Sequence, residues 1–534
     1  MISTGDGLTG AIHIPVVKAT FVSGGDVVEA MRKLVSVVVM ALVVSSLAPS
    51  PAATSAPSLR KHGHDHRLLQ SGANPASFLQ PNEDGFPARK NGDGQWHSGG
   101  RAVAHHAGGV RITDPRITSK APDGRYYRLG INGWEPSLGV DDKGRIFYQA
   151  RNADLEPHVV RSTNEGHTWE IVSPTIGGAP AQPLSLDPVL YLDKDTGRVF
   201  TNNIPPDISC QPISFTDDAG ETWTNTAICG HFDHQNIFTG PPPDGGDQPS
   251  GYPNVVYYCA INLVMLSGTS TSTTCGRSLD GGLTWLPTGE PAYISPIPAE
   301  GDGGEPWCDG AVGHGFVGDD GTVYLPRVWC GQPFVSISKD EGLTWDQVQV
   351  ADNGGLAHEA GIAADGKGNL YYTWIAKNGL PYLAVSRDGG ESWDAPMMIG
   401  PPGLKRSSLP AMDIGDDGKI AITYAGSETP GKKSEKWAWN GYITMTGDAL
   451  AGDPIFYTGT MNAPSDPLHI GECGRLRCHS LGDFFDVTIA PDGTPWVAFV
   501  DACIHPRKCI PTFETVGVRG EAVVGRLVGG PKLR

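Results

Sequence analysis

The 534-residue chain has no clustered run of Lys and Arg, and its net charge is −18. That argues against nucleic acid or an anionic membrane surface as a partner, because both are held by clustered cations. No CxxC pair is present, which removes the usual spacing of a structural zinc site. Gly-x-Ser-x-Gly, His-Glu-x-x-His and phosphate-loop patterns are also missing. Serine-hydrolase, zinc-protease and nucleotidase readings therefore have no motif to rest on. The apolar run Leu34 to Ala48 is 15 residues long, short of the ~20 a membrane span needs.

What is present points to export and to β structure. Met31-Arg32-Lys33, the apolar run and the small-residue stretch "PSPAATSAPS" have the order of a secretory signal, with cleavage expected near Ala52 to Ala56. Residues 1–56 are read as an over-extended start plus this signal, with Met31 as the initiator. Residues 57–104, rich in Gly, Pro, His and Asn, are read as a flexible leader. Its histidines His62, His64 and His66 are expected to be solvated. The protein is therefore expected to be secreted, monomeric and without a stable membrane anchor. Ten cysteines lie between residues 210 and 509 as near-neighbour pairs: Cys210/Cys229, Cys259/Cys275, Cys308/Cys330, Cys473/Cys478 and Cys503/Cys509. An even number in an exported chain suggests disulfides. High glycine (71) and proline (44) favour short strands joined by turns.

One eight-residue frame recurs five times: "STNEGHTW" from Ser162, "TDDAGETW" from Thr216, "SLDGGLTW" from Ser278, "SKDEGLTW" from Ser338 and "SRDGGESW" from Ser386. The glycines are spaced by 54, 62, 60 and 48 residues, a period that signals repeat architecture. Between the copies run hairpins of the kind "GIAADGKGNLYYTWI" (361–375), with apolar alternation around an acidic-glycine turn. "NVVYYCAINL" (254–263) is taken as a degraded member of that set. One hairpin of each kind makes a four-stranded blade, so the fold is expected to be an all-β propeller spanning 105–534. Seven blades are favoured and six are the alternative. The stretch 108–114 is expected to supply the closing strand.

The acid, glycine and tryptophan of each frame all have structural uses: turn acceptor, positive-φ position and buried apolar face. Five copies around a rim suit a brace better than an active site, assigning Asn164, Asp218, Asp280, Asp340 and Asp388 to structure. The frames resemble the Asp-box, or BNR, repeats of sialidases and related propellers, in which the box braces a hairpin away from the catalytic face. The resemblance runs through the boxes from about residue 130 to 400, and through the hairpins to the C-terminus. It implies a sialidase-like propeller and, for an enzyme, an exo-sialidase-like glycoside hydrolase. The Arg-Ile-Pro signature of sialidases is absent; the nearest string is Arg111-Ile112-Thr113.

In a propeller the starts of the innermost strands surround the axis. Unrepeated polar residues at those places are Glu135, Asp187, Asn254, Asp309, His358, Glu359, Arg406, Asp483 and Asp486. Glu135, Asp187, Asp309, Glu359, Asp483 and Asp486 are candidates for the carboxylate pair that glycoside hydrolysis needs. Trp134, Trp307, His358 and Arg406 are candidates for holding the sugar. The motifs require no cofactor; Ca²⁺ held through oxygen ligands is one alternative use of the ring. Hydrogen bonding between blades is another. The expected function is a secreted carbohydrate-active hydrolase acting on extracellular glycans. The alternative is a noncatalytic propeller that binds a ligand or protein.

Overall fold

The computed structural model describes residues 95–97, 103–109, 114–117 and 122–534, apart from 153, 264–269, 288, 297–307, 309, 464, 474–477, 479 and 504–519. The signal segment, most of the leader including His62, His64 and His66, and Arg111–Thr113, Trp307, Asp309 and Cys509 lie outside the described residues. The described chain forms seven antiparallel blades of at least four strands each, arranged as a propeller. The innermost strands are Ser137–Val140, Pro188–Leu192, Phe232–Gly240, Phe316–Val317, Gly361–Ala364, Arg406–Ile414 and Asp486–Ile489, for blades 1 to 7 in turn.

The sequence carries this architecture through burial on both faces of its middle strands. Leu370–Ile375, "LYYTWI", is buried at every position because blades 4 and 6 cover its two faces. The hydrophobic core is accordingly divided into seven clusters, one per blade interface. Tyr148 and Trp169 of blade 1, for example, share a cluster with Trp496 and Val524 of blade 7. Each large side chain buried this way contributes about 1.5–3 kcal/mol.

The five repeated frames lie between the third and fourth strands of blades 1 to 5. Ser338 Oγ donates to Asp340 Oδ1 (2.8 Å) and accepts from the Gly342 N–H (2.8 Å). The Thr344 N–H and hydroxyl donate to the two Asp340 oxygens at 2.9 and 2.7 Å. The glycine stands at φ +81°, where a Cβ would strain the turn. The other frames repeat the pattern, with Asn164 accepting and donating in the first. Blade 6, which carries none of the five frames, keeps half of their pattern: Thr446 Oγ1 donates to Asp448 Oδ1, which accepts the Ile455 N–H.

Blade 3 departs from the expected layout. Its innermost strand is Phe232–Gly240, and "NVVYYCAINL" lies in the second strand, Val255–Asn262. The intervening turn is not degraded; it is a loop of 14 residues, 241–254, rich in Pro, Gly and Asp. Asn254 therefore lies at the end opposite the mouth, bonded to Asp193 and Asp195 in the turn of blade 2.

Blade 7 closes the ring with strands from both ends of the chain. Asp486–Ile489, Pro495–Asp501 and Glu521–Val528 are joined by Asp123–Asn132, and Gln95–His97 pairs outside that. The closing strand is thus Asp123–Asn132 and not the stretch 108–114. Within the segment read as leader and its border, Val103–His106 adds a fifth strand to blade 6. Among the described residues four disulfides join the neighbour pairs Cys210–Cys229, Cys259–Cys275, Cys308–Cys330 and Cys473–Cys478. The first two link residues directly opposed on adjacent strands.

Candidate functional site

The starts of the inner strands converge on one mouth of the axis, and there the unrepeated residues meet. Blade 3 places His234 in a β-bulge between Asp233 and Asn236, at φ +49°. A bulge breaks strand alternation and re-aims a side chain. His234 Nδ1 lies 3.3 Å from Glu359 Oε1 of blade 5, and its Nε2 lies 3.7 Å from Asp483 Oδ2 of blade 7. One imidazole therefore joins three non-adjacent blades. Burial alone would lower its pKa. The Glu359 hydrogen bond and the charges of Asp233, Asp483 and Glu359 outweigh burial and raise it to about 10, so His234 is an imidazolium at neutral pH. His314, from blade 4, approaches Glu359 from the other side at 3.8 Å and packs edge-on against Phe484.

A second pair adjoins this group. Glu135 leads into blade 1 at φ +52°, a backbone region that costs a non-glycine residue about 1–3 kcal/mol. It is 2% exposed. Burial, then the charge of Asp187 and a hydrogen bond shared with it, then Asp483, hold its pKa well above the usual carboxylate range; Arg151 opposes them. Glu135 is therefore a buried acid whose ionisation is disfavoured by its neighbours Asp187 and Asp483. Its position is fixed from below by Gly482 (φ +86°), whose absent side chain leaves room for it: a Cβ there would stand 2.7 Å from Glu135 Cγ. Asp187 accepts the Gln235 amide on its backbone carbonyl at 2.7 Å.

The remaining sequence candidates are placed elsewhere or serve the ring. His358 is 1% exposed and bonds Ser408 Oγ of blade 6 at 3.2 Å. Asp486 accepts the N–H groups of Leu138 and Val487, tying blade 7 to blade 1; burial, only partly offset by His314 and those N–H groups, raises it to about 6. Trp134 is buried, with the Arg151 guanidinium 5.2 Å from its ring, so its face is not open to a sugar. Arg406 donates to the carbonyls of Thr429 and Gly431 and lies 3.7 Å over Trp437, engaged within blade 6. Trp307 and Asp309 fall outside the described residues.

Sequence reasoning missed His234, Asp233 and His314. The strand carrying the first two was misassigned because a 14-residue loop separates it from its partner. The string "FDHQNIF", polar residues opening an apolar run, was the available signal. Among the described residues one group of three potential metal ligands lies close together, His469 with Cys473 and Cys478, and those two cysteines are bonded to each other.

The blades and braced hairpins are similar in architecture to the sialidase-like propellers. No protein-family model and no curated protein sequence matches the chain. Among solved structures it is similar to a Hadza microbial sialidase: 18% identity, 56% of this chain, 64% of that one, TM-score 0.38. The chain thus spans a little under two thirds of that sialidase's length. It is also similar to the BP39L lectin of Burkholderia pseudomallei, at 12% identity over 70% of this chain and 94% of that one, TM-score 0.43. An α-L-arabinofuranosidase of Fusarium graminearum gives 13% identity, 61% and 92% coverage, and TM-score 0.35.

Proposed function

We propose that the chain is a secreted carbohydrate-active hydrolase whose reaction takes place at the axial mouth. The observation that carries this reading is a buried Glu135 on strained backbone, next to Asp187 and with its carboxyl held well above the usual carboxylate range. Glycoside hydrolysis needs an acid whose pKa is raised, to protonate the departing oxygen, and a carboxylate to act as nucleophile or base. Glu135 is assigned the acid role. Asp187 and Asp483 are the nearest carboxylates for the second role. His234, paired with Glu359 and Asp483, positions both blades' carboxylates and keeps their separation fixed. Export is supported by four disulfides in the described chain, a bond type that persists in oxidising compartments.

The test is a screen of the purified protein against chromogenic glycosides, a sialoside among them. Turnover is expected on at least one. Glu135→Gln is expected to lower kcat by about 100-fold or more, the usual contribution of a positioned acid. Glu359→Gln, which loosens His234, is expected to give a smaller loss.

A second reading has its own support. Trp134 offers no open face, and two of the carboxylates are occupied by His234. Such a mouth also suits a noncatalytic propeller that holds a glycan. Saturable glycan binding with no turnover on any substrate, unchanged in Glu135→Gln, would favour it.

A further inference from the structure

We propose that a cavity between blades 5 and 6 is a second sugar subsite, so that the preferred ligand is an oligosaccharide running outward from the axial mouth; the inference deepens the glycan-directed reading above and rests on it. The cavity measures about 420 Å³, and its lining includes Pro401, Pro402, Glu428, Asn440, Tyr442 and Thr460. That volume is within the range of small-molecule sites. It lies at the same end of blade 6 as the mouth. Arg406 opens the innermost strand there and opposes Ser427; Gly426 opposes Asn440, and Tyr442 opposes Thr460, so the strands bring these residues to one end. Asn440 and Thr460 stand on the third and fourth strands, roughly 10–14 Å outward of Arg406 at the usual strand spacing. Tyr442 shares a cluster with Tyr371 and Leu383 of blade 5, which puts the cavity on the blade-5 face of the sheet. Val103, on the added fifth strand, joins the outer wall.

The lining suits a ring that carries hydroxyls on an apolar frame. Pro401, Pro402 and Pro430 supply apolar surface. Glu428 is exposed, and its carboxylate accepts the Tyr442 hydroxyl at 3.3 Å. Thr460 is 5% exposed, and its hydroxyl has no hydrogen-bond partner among the described residues. A buried hydroxyl left unpaired costs about 1–3 kcal/mol, and a ligand hydroxyl, which both donates and accepts, removes that cost. An anionic ligand would meet Glu428, and a wholly apolar one would leave Thr460 unpaired. The cavity is also held in shape. The Asn462 amide donates to Asn440 Oδ1 at 2.8 Å, and the Ala438 N–H donates to Thr429 Oγ1 at 3.0 Å. Arg406 donates to the carbonyls of Thr429 at 2.6 Å and Gly431 at 3.1 Å while lying over Trp437. Arg406, expected to hold the sugar itself, is thus a positioning residue for the loop that borders this cavity.

The experiment is an array of immobilised single sugars and oligosaccharides of arabinose, galactose, glucose and N-acetylglucosamine, with and without terminal sialic acid. It is probed with the full chain and with Glu428→Ala, Ala438→Phe and Asp340→Asn. At least one oligosaccharide is expected to bind about tenfold more tightly than its single sugar, the worth of one added hydrogen bond. Ala438→Phe, which fills the cavity, is expected to abolish that gain, and Glu428→Ala, a change at an exposed side chain that does not threaten folding, to reduce it several-fold. Asp340→Asn, at the rim, leaves it intact. Chromogenic monosaccharides, which reach only the mouth, are expected to be turned over equally by all four proteins. A gain from chain length that survives both cavity variants overturns the proposal, as does an equal loss on single sugars and oligosaccharides. Turnover of a monosaccharide with no gain from chain length sinks this inference but leaves the hydrolase reading standing. Absence of both binding and turnover on every sugar sinks both.

Discussion

Single residues at the mouth carry opposing demands, and each can be read by substitution. Glu135 is folded into a place that disfavours its ionised form, so it weakens the fold as pH rises above the ordinary carboxylate range. Glu135→Gln keeps the shape and removes that penalty. Its melting temperature at pH 8 is expected to rise even as activity falls, and thermal denaturation of both proteins at pH 5 and pH 8 checks this, the gain appearing only at the higher pH. Gly482→Ala brings a methyl group against Glu135 Cγ and strains a φ of +86°. A cost of about 1–3 kcal/mol in stability, with loss of activity, is expected from denaturant titration and assay. The residues of this cluster were only partly legible in the sequence. Glu135, Asp187, Glu359 and Asp483 could be named because each opens a hairpin whose turn is short and acidic. His234 could not, since its strand is divided from its partner by a long loop, and its aim depends on a bulge that no periodicity reveals.

At the scale of the element, the braced hairpin explains why the repeated frame was easy to find. Its hydrogen bonds close over seven consecutive residues, so the pattern that forms the structure is also the pattern of the sequence. Inter-blade links are the reverse case. Leu190 N–H to Ser137 Oγ and Leu138 N–H to Asp486 Oδ2 join residues 53 and 348 positions apart, and nothing local announces them. Removing Asp340 tests the division of labour. Asp340→Ala deletes a set of bonds at a partly exposed turn and is expected to cost about 1–2 kcal/mol by urea denaturation. Glycan binding or turnover should be unchanged, because the turn lies at the outer strands of blade 4; a comparable loss of activity would give the frame a role beyond bracing.

For the whole molecule, the raised groups give a stability that declines toward alkali above about pH 6.5; below that, His105 and His158, whose burial lowers their pKa, act in the opposite sense. His234 has a folded-state pKa above its unfolded value, so its contribution is complete below about pH 6.5 and is lost as pH climbs to about 10. Asp501, pushed up to about 8 by burial and by Asp466 and Glu521 against the pull of Arg128, gives up its contribution between the ordinary carboxylate range and that value. Melting temperatures recorded from pH 6.5 to pH 10 should fall steadily; a rise across that range would contradict the assignment. The same Arg128 holds Glu521 at 2.7 Å and Asp466 at 3.2 Å, and also pairs with Asp501. Arg128→Met leaves two buried acids, Asp501 and Glu521, and the half-buried Asp466 without their cation and should cost about 3–5 kcal/mol in the same measurement. Seven blades were readable from seven hairpins, but the partner that closes the ring was not, because a lone strand far from its sheet carries no turn signal. That closing strand has a consequence in time. Asp123–Asn132 leaves the ribosome among the first of the described strands, yet Glu521–Val528, the neighbour it must pair with, is made last. Until then its hydrogen-bonding edge is open, and six blades stand as an unclosed arc. The ring can latch only once Glu521–Val528 exists to bridge Asp123–Asn132 and Pro495–Asp501, so the meeting of blade 1 with blade 7 depends on a strand synthesised almost four hundred residues after its partner.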